Sequence, residues 1–283
     1  MKILITGING QVGHALMREL TDHELIGLTR QDCDLTNSDQ IKQVIDQHQP
    51  DLIINPAAYT KVDQAEEEPE LAFQINRDAP KVMAEKACEY HIPFIHFSTD
   101  YVFDGEKEEA YVEDDPTHPL GVYGKSKCAG EEAIQEVGGL NYIFRTSWVY
   151  SNISHNFFLT MKKLSQERYE LKVVADQIGV PTSNQFIAEQ MKTIIPQLHD
   201  NNTGAYHLVS DGSCSWHEFA KQIIGQTNPQ FNLENLHAIT TDEFPSKTKR
   251  PKNSVLNNAK IKQTFNLEYN HWQGELEKVI HEA

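Results

Sequence analysis

Cysteine is scarce and scattered: Cys33, Cys88, Cys128 and Cys214 are the only four in 283 residues, and no two form a CxxC pair. That spacing argues against a disulfide framework and a zinc site, and the four read as reduced, packed thiols. Basic residues are also short. With 25 Lys and Arg against 41 Asp and Glu, the formal net charge is -16, which disfavours nucleic acid as a broad-surface partner, because such binders concentrate cations. No stretch approaches the roughly 20 apolar residues of a membrane span. The start, "MKILITG", runs straight into a strand pattern instead of a secretory signal, so a soluble, cytoplasmic protein is expected. The thirteen histidines include no HExxH cluster. His96, alone in an apolar run, reads as a satisfied core residue, and no structural metal is indicated.

What is present is an alternation. "KILIT" (2–6), "ELIGLT" (24–29), "DLIIN" (51–55), "PFIHFS" (93–98) and "NYIFRTSWVY" (141–150) read as buried strands. Helical periods fall between them at 13–20, 38–48, 72–90 and about 123–137. Such a pattern predicts an α/β chain with a Rossmann-like, doubly wound parallel sheet covered by helices on both faces. After residue 150 the helices lengthen (155–168, 184–200, 215–227) and two strands intervene, "LKVVAD" and "AYHLVS". The expected division is a dinucleotide-binding domain over 1–150 and a smaller, mainly C-terminal α/β substrate domain over 151–283, with later strands free to return to the large sheet. The acidic run "EEEPE" (66–70) reads as a solvated loop or helix start.

Gly7, Gly10 and Gly13 in "ITGINGQVG" stand between the first strand and the first helix. Glycines there permit a tight turn, let backbone N–H groups approach a pyrophosphate, and place it at a helix N-terminus. The spacing is GxxGxxG, and glycines also punctuate ordinary turns. At the tip of the second strand, Thr29 and Arg30 stand where an acidic residue would favour a free ribose hydroxyl. Arg30 suits a 2'-phosphate or simply caps the strand, so both NADPH and NADH stay open. Asp34 and Leu35 follow at a distance suited to flanking the adenine.

Tyr123 and Lys127, in "VYGKSK", share one face of a helix. Alone the pair is weak. The fourth strand, however, ends in "FSTDYVFDG", and ligands in open α/β sheets sit beyond the carboxyl ends of strands, so Ser98, Thr99 and Asp100 would face a nicotinamide. Reducing a ketone leaves an alkoxide that needs a proton. A neighbouring ammonium would make Tyr123 a better donor, and the Thr99 hydroxyl would orient the carbonyl.

The segments "GINGQVG", "NPAAYTKVDQAE", "STDYVFDG", "YGKSKCAGE", "FRTSWVYS", "VVADQIGVPT" and "KRPKNS" together resemble the extended short-chain dehydrogenases/reductases over nearly the whole chain. Within that family, "STDYVF", "RTSWVY" and "DQIGVPT" in this order resemble the branch acting on dTDP-linked deoxysugars. The resemblance implies reduction of the 4-keto group of dTDP-4-dehydro-L-rhamnose, with NADPH or NADH, for cell-surface polysaccharide. It implies Tyr123 as proton donor with Lys127 beside it, both also against the cofactor, where Lys127 can hold the nicotinamide ribose, and Thr99 with Asp100 on the sugar. Gly10, Gln11 and Val12 would meet the pyrophosphate; Arg30, Asp34 and Leu35 the adenosine half; Ala57, Ala58 and Tyr59 the cofactor ribose; Trp148 and Arg250 the substrate. Packing would equally explain Trp148, a loop anchor Tyr59, and a solvated tail the basic group Lys247, Lys249, Arg250 and Lys252. Magnesium is often associated with the family, but Ala15 stands where a carboxylate is expected, which leaves the ion an accessory. Another ketoreductase, an epimerase, a dehydratase, or a regulatory subunit like that of methionine adenosyltransferase are the alternatives. The oligomeric state stays open between monomer and homodimer.

Overall fold

The computed structural model describes residues 1–282. Five strands, β1 (Lys2–Thr6), β2 (Glu24–Leu28), β3 (Leu52–Asn55), β4 (Phe94–Thr99) and β5 (Asn141–Thr146), join a late strand, Gly204–His207, in one parallel sheet. The order across the sheet is late strand, β5, β4, β3, β1, β2. Residues of β1 to β5 are apolar on both faces because helices cover both. Ile3, Ile5, Phe97 and Phe144 pack under the helices Gln11–Glu19 and Asn184–Ile194, whereas Leu4, Ile53, Phe94 and Ile143 pack under Ser38–His48 and Ala79–Tyr90. The chain leaves β2 and resumes on the far side of β1. This order reversal opens a crevice at the carboxyl ends of β1 and β3, where ligands of such sheets bind.

Several elements differ from the pattern read in the sequence. "NYIFRTSWVY" is not one strand: it breaks after Thr146 and resumes as Val149–Tyr150, because Trp148 takes a left-handed backbone (φ +47°). The segment 72–90 contains a π-turn, Gln74–Asp78, ahead of the helix Ala79–Tyr90. Helix Val122–Val137 presses against that turn so closely that a Cβ on Gly130 would lie 2.1 Å from the Asn76 carbonyl oxygen. The helix expected over 184–200 ends at Ile194, and a short 3-10 turn, Ile195–Gln197, accommodates Pro196. Gly204–His207 joins the large sheet, but Leu171–Val174 pairs instead with Leu236–Ile239. The acidic run is more than solvated. Glu66 accepts from the Val122 N–H (2.8 Å), Glu68 from the Tyr59 hydroxyl (2.7 Å), and Glu67 pairs with Lys247 (2.6 Å).

Candidate active site

The glycine turn after β1 forms a cradle that side chains would fill. Gly7 has φ +60°, and a Cβ on Gly13 would sit 2.4 Å from the Gly7 oxygen. Gly10 donates its N–H to that same oxygen (2.9 Å), and Gln11, Val12 and Gly13 open the first helix. Gln11 also ties this turn to the second half: its amide oxygen accepts from Ser151 (2.7 Å) and Asn156 (3.0 Å). Gly7 approaches Ala57 across the crevice, and beyond them a cavity of about 460 Å³ runs between Arg30, Asp34 and Leu35 on one wall and Ala58 and Tyr59 on the other. Tyr59 is held by its backbone on Asn76 and by its hydroxyl on Glu68. It anchors the loop while lining the cavity.

A second cavity of about 510 Å³ shares Gly7, Ala57 and Ala58 with the first and continues to Thr99, Asp100, Tyr123, Lys127 and Trp148. The parallel register sets Thr99 opposite Thr146, which brings the ends of β4 and β5 to one depth. Three buried oxygens there, Ser98 Oγ, Asp100 Oδ2 and Thr146 Oγ1, have no hydrogen-bond partner among the described residues. Unpaired buried polar atoms are costly, and their clustering in a cleft points to a polar ligand. Thr99 Oγ1 donates to Asp100 Oδ1 (2.9 Å). Burial pushes the Asp100 carboxyl up to about 6, opposed by nearby hydroxyls, of which Thr99 is the one in hydrogen-bond geometry.

Burial also pushes the Tyr123 phenol up to about 12, opposed by the Thr99 hydroxyl and reinforced by Asp100. Lys127 is not among the groups that move it. The Lys127 amine, 1% exposed, is instead engaged by the Phe97 carbonyl (2.6 Å) and His96 Nε2 (2.9 Å). Burial lowers it to about 7, with Glu131 opposing. Tyr101 lies edge-on to Tyr123, ring centroids 5.8 Å apart.

Trp148 stacks on Trp216 (centroids 3.5 Å, planes 8° apart), and a Cβ on Gly179 would collide with its ring at 2.4 Å. This pair forms a wall between the cleft, which Trp148 lines, and a largely apolar cavity of about 780 Å³, which Trp216 lines with Phe157, Met161, Val173 and Arg250. Arg250 reaches Asp63 at 3.5 Å, and its buried Nε has no partner among the described residues.

Known proteins match this arrangement from end to end. The RmlD substrate binding domain family matches residues 1–283. A dTDP-4-dehydrorhamnose reductase of Aggregatibacter actinomycetemcomitans is 40% identical over 287 residues, covering 98% of each chain. The crystal structure of the Bacillus anthracis dTDP-4-dehydrorhamnose reductase in complex with NADP superimposes with a TM-score of 0.93, at 37% identity over 100% of this chain and 99% of that one. That from Clostridium acetobutylicum gives 0.94, at 38% identity over 99% of both. The chain belongs to the dTDP-4-dehydrorhamnose reductase family.

Among the described residues no three His, Cys, Asp or Glu side chains come together as a metal site, and Ala15 is buried against the sheet. The donor set does not fit magnesium, and no step below uses it. Nor is any described helix long and apolar enough to cross a membrane. Reading the sequence missed Trp216, His155 and Thr146, which also line the two cavities. Their signals were faint: Trp216 opens a helix far from the motifs, and Thr146 looked like one more strand residue.

Proposed function

We propose that this chain reduces the 4-keto group of dTDP-4-dehydro-L-rhamnose to give dTDP-L-rhamnose, taking hydride from NADPH or NADH. The observation that carries this reading is the meeting of Thr99, Tyr123 and Lys127 in a cleft continuous with the glycine cradle. The sheet-bearing residues 1–150, with the late strand, hold the dinucleotide, and 151–283 mainly hold the nucleotide sugar. Gly7, Gly10, Gln11, Val12 and Gly13 would meet the pyrophosphate, Arg30, Asp34 and Leu35 the adenosine half, and Ala57, Ala58 and Tyr59 the ribose. The bound nicotinamide supplies the hydride.

The chain's own part is to orient the ketone and finish the reaction. Thr99 and Tyr123 donate hydrogen bonds to the 4-oxygen, stabilising the charge that grows there. A phenol raised by burial keeps its proton at neutral pH, yet an alkoxide is a stronger base still, so Tyr123 gives up its proton once hydride has arrived. Lys127, which does not move the resting phenol, lines the same cleft and as an ammonium would favour the phenolate once that charge has formed. Asp100 contacts the sugar hydroxyls, Trp148 backs the sugar ring, and Arg250, with its unpaired Nε, takes the diphosphate.

Asp100 is followed by Tyr101, so the acidic pair that would eliminate water in a dehydratase is incomplete. Oxidation of NADPH and NADH is to be followed with a panel of dTDP-4-keto sugars, and dTDP-glucose tested for a 4-keto product. Turnover with dTDP-4-dehydro-L-rhamnose is expected; turnover only of a sister sugar, a product from dTDP-glucose, or no oxidation would each overturn the assignment.

A further inference from the structure

Lys127 differs from most buried lysines in what surrounds its amine. Neither partner is a carboxylate: one is the Phe97 carbonyl and the other a ring nitrogen of His96. The ring is fully buried, and its other nitrogen, Nδ1, meets Asn55 Nδ2 at 3.1 Å. Asn55 Oδ1 in turn accepts from Thr6 Oγ1 at 2.5 Å. Four side chains from β1, β3, β4 and the Tyr123 helix thus form one line, running from the crevice floor to the amine. Hydrogen-bond bookkeeping makes this line informative, because a neutral imidazole has one donor nitrogen and one acceptor.

If Asn55 donates to Nδ1, the ring proton is on Nε2 and points at Lys127, which must then be a neutral amine. If Lys127 is an ammonium, Nε2 accepts, the proton sits on Nδ1, and the Asn55 amide must turn its oxygen to the ring and its NH2 to Thr6. Both arrangements satisfy every group in the line. We propose that His96 is a positioning residue of the reduction: its ring holds the Lys127 amine against the Phe97 carbonyl and, by exchanging tautomers, accommodates both the charged and the neutral amine.

Burial lowers His96 well below the usual imidazole range, so the ring itself stays neutral while it exchanges tautomers. The other ionisable groups around the amine are already engaged. Glu131, one turn along the same helix, is bound to Arg145 of β5 (2.6 Å), whereas Tyr123, one turn back, and Asp100 line the same cleft as the amine. A lysine tied to a carboxylate would be fixed as a cation. Held by His96, Lys127 can be an ammonium while Tyr123 is a phenolate and, once its proton has recharged Tyr123, stand as a neutral amine until a proton from solvent restores it.

The inference rests on the reductase reading, but two of its readouts do not. In protein labelled with 15N at histidine, the His96 nitrogens are expected to exchange donor and acceptor character across the pH range in which Lys127 titrates, and to stop doing so in Lys127→Met. A single tautomer throughout, or exchange unaffected by Lys127→Met, overturns the proposal, whatever the enzyme's activity. With wild-type turnover established, His96→Leu should lower kcat about 10- to 100-fold, less than loss of the proton donor itself. His96→Gln, which offers Lys127 an acceptor but no second tautomer, should recover part of kcat and shift the pH profile upward, since it favours the ammonium. In a Lys127→Met background, His96→Leu should add little. An unshifted profile in folded His96→Gln, or fully additive losses, would assign His96 to packing alone.

Discussion

Lys86 and Lys127 are the two buried lysines of the sheet-bearing half, and they are treated in opposite ways. Lys86, on the helix Ala79–Tyr90, meets Asp46 at 2.6 Å and Glu89 at 2.8 Å and lies over the Tyr90 ring. The bond to Asp46, then that to Glu89, push its amine up, so it is a fixed cation joining two helices. Lys127, on the helix Val122–Val137, has only neutral acceptors, and burial brings it down to about 7. One lysine is made permanent by carboxylates. The other is held near the point of losing its charge, and the withheld stabilisation is what a proton-handling group requires.

The comparison can be pressed hardest beside Lys127. Tyr123→Phe removes one hydroxyl and keeps the ring, so kcat should fall roughly 10²- to 10⁴-fold with fold and cofactor affinity spared. Retention of more than about half of kcat would place the proton donor elsewhere. Next, Lys127→Met should lower kcat by roughly tenfold or more and raise the KM for the cofactor. Lys86→Met should leave both constants alone and cost only about 1 kcal/mol, because Asp46 and Glu89 are largely exposed. Similar kinetic losses in both variants would erase the distinction.

The titrating groups give smaller effects with definite signs. The fold favours the neutral Lys127 amine, so its cost is absent above the ordinary lysine value of 10.5 and complete below about 7. Lys127→Met should therefore gain stability relative to wild type as pH falls through that window. Asp100 behaves in the mirror sense. Its carboxyl is raised from 3.8 to about 6, so stability is lost as pH rises from 3.8 through 6, and Asp100→Asn should be more stable at pH 7 by about 3 kcal/mol. That gain should vanish below pH 3.8, where both states carry the proton. Denaturant titrations across pH check both, and a pH-independent difference in either would refute the stated burial. The smallest effect is expected at the far end of the groove: Arg30→Ala should raise the KM for NADPH about tenfold at most, and for NADH less. Equal changes would show that Arg30 does not discriminate.

How far the sequence could be read depended on whether a feature was local. β1, the glycine turn and the first helix are set by neighbours within a dozen residues, and they lie where the pattern put them. The alternation likewise disclosed the parallel sheet. The break at Trp148 was not legible, because what holds that residue in a left-handed conformation is a stack on Trp216 and the bare backbone of Gly179, both far along the chain. The π-turn around Asn76 is equally non-local, set by Gly130 and Tyr59. His96 shows a subtler limit. It is a satisfied core residue, as an apolar run suggests, but its partner is Lys127, which no spacing rule connects to it.

The chain has three tryptophans, and two of them are the stacked pair dividing the cleft from the apolar cavity. Indoles 3.5 Å apart and nearly parallel couple their electronic transitions. The pair is therefore expected to add a coupled signal to the near-ultraviolet circular dichroism, and that signal reports on one wall of the cleft. A displacement of either ring would change that signal. The molecule carries an optical probe of that wall, and no label has to be placed in the cleft.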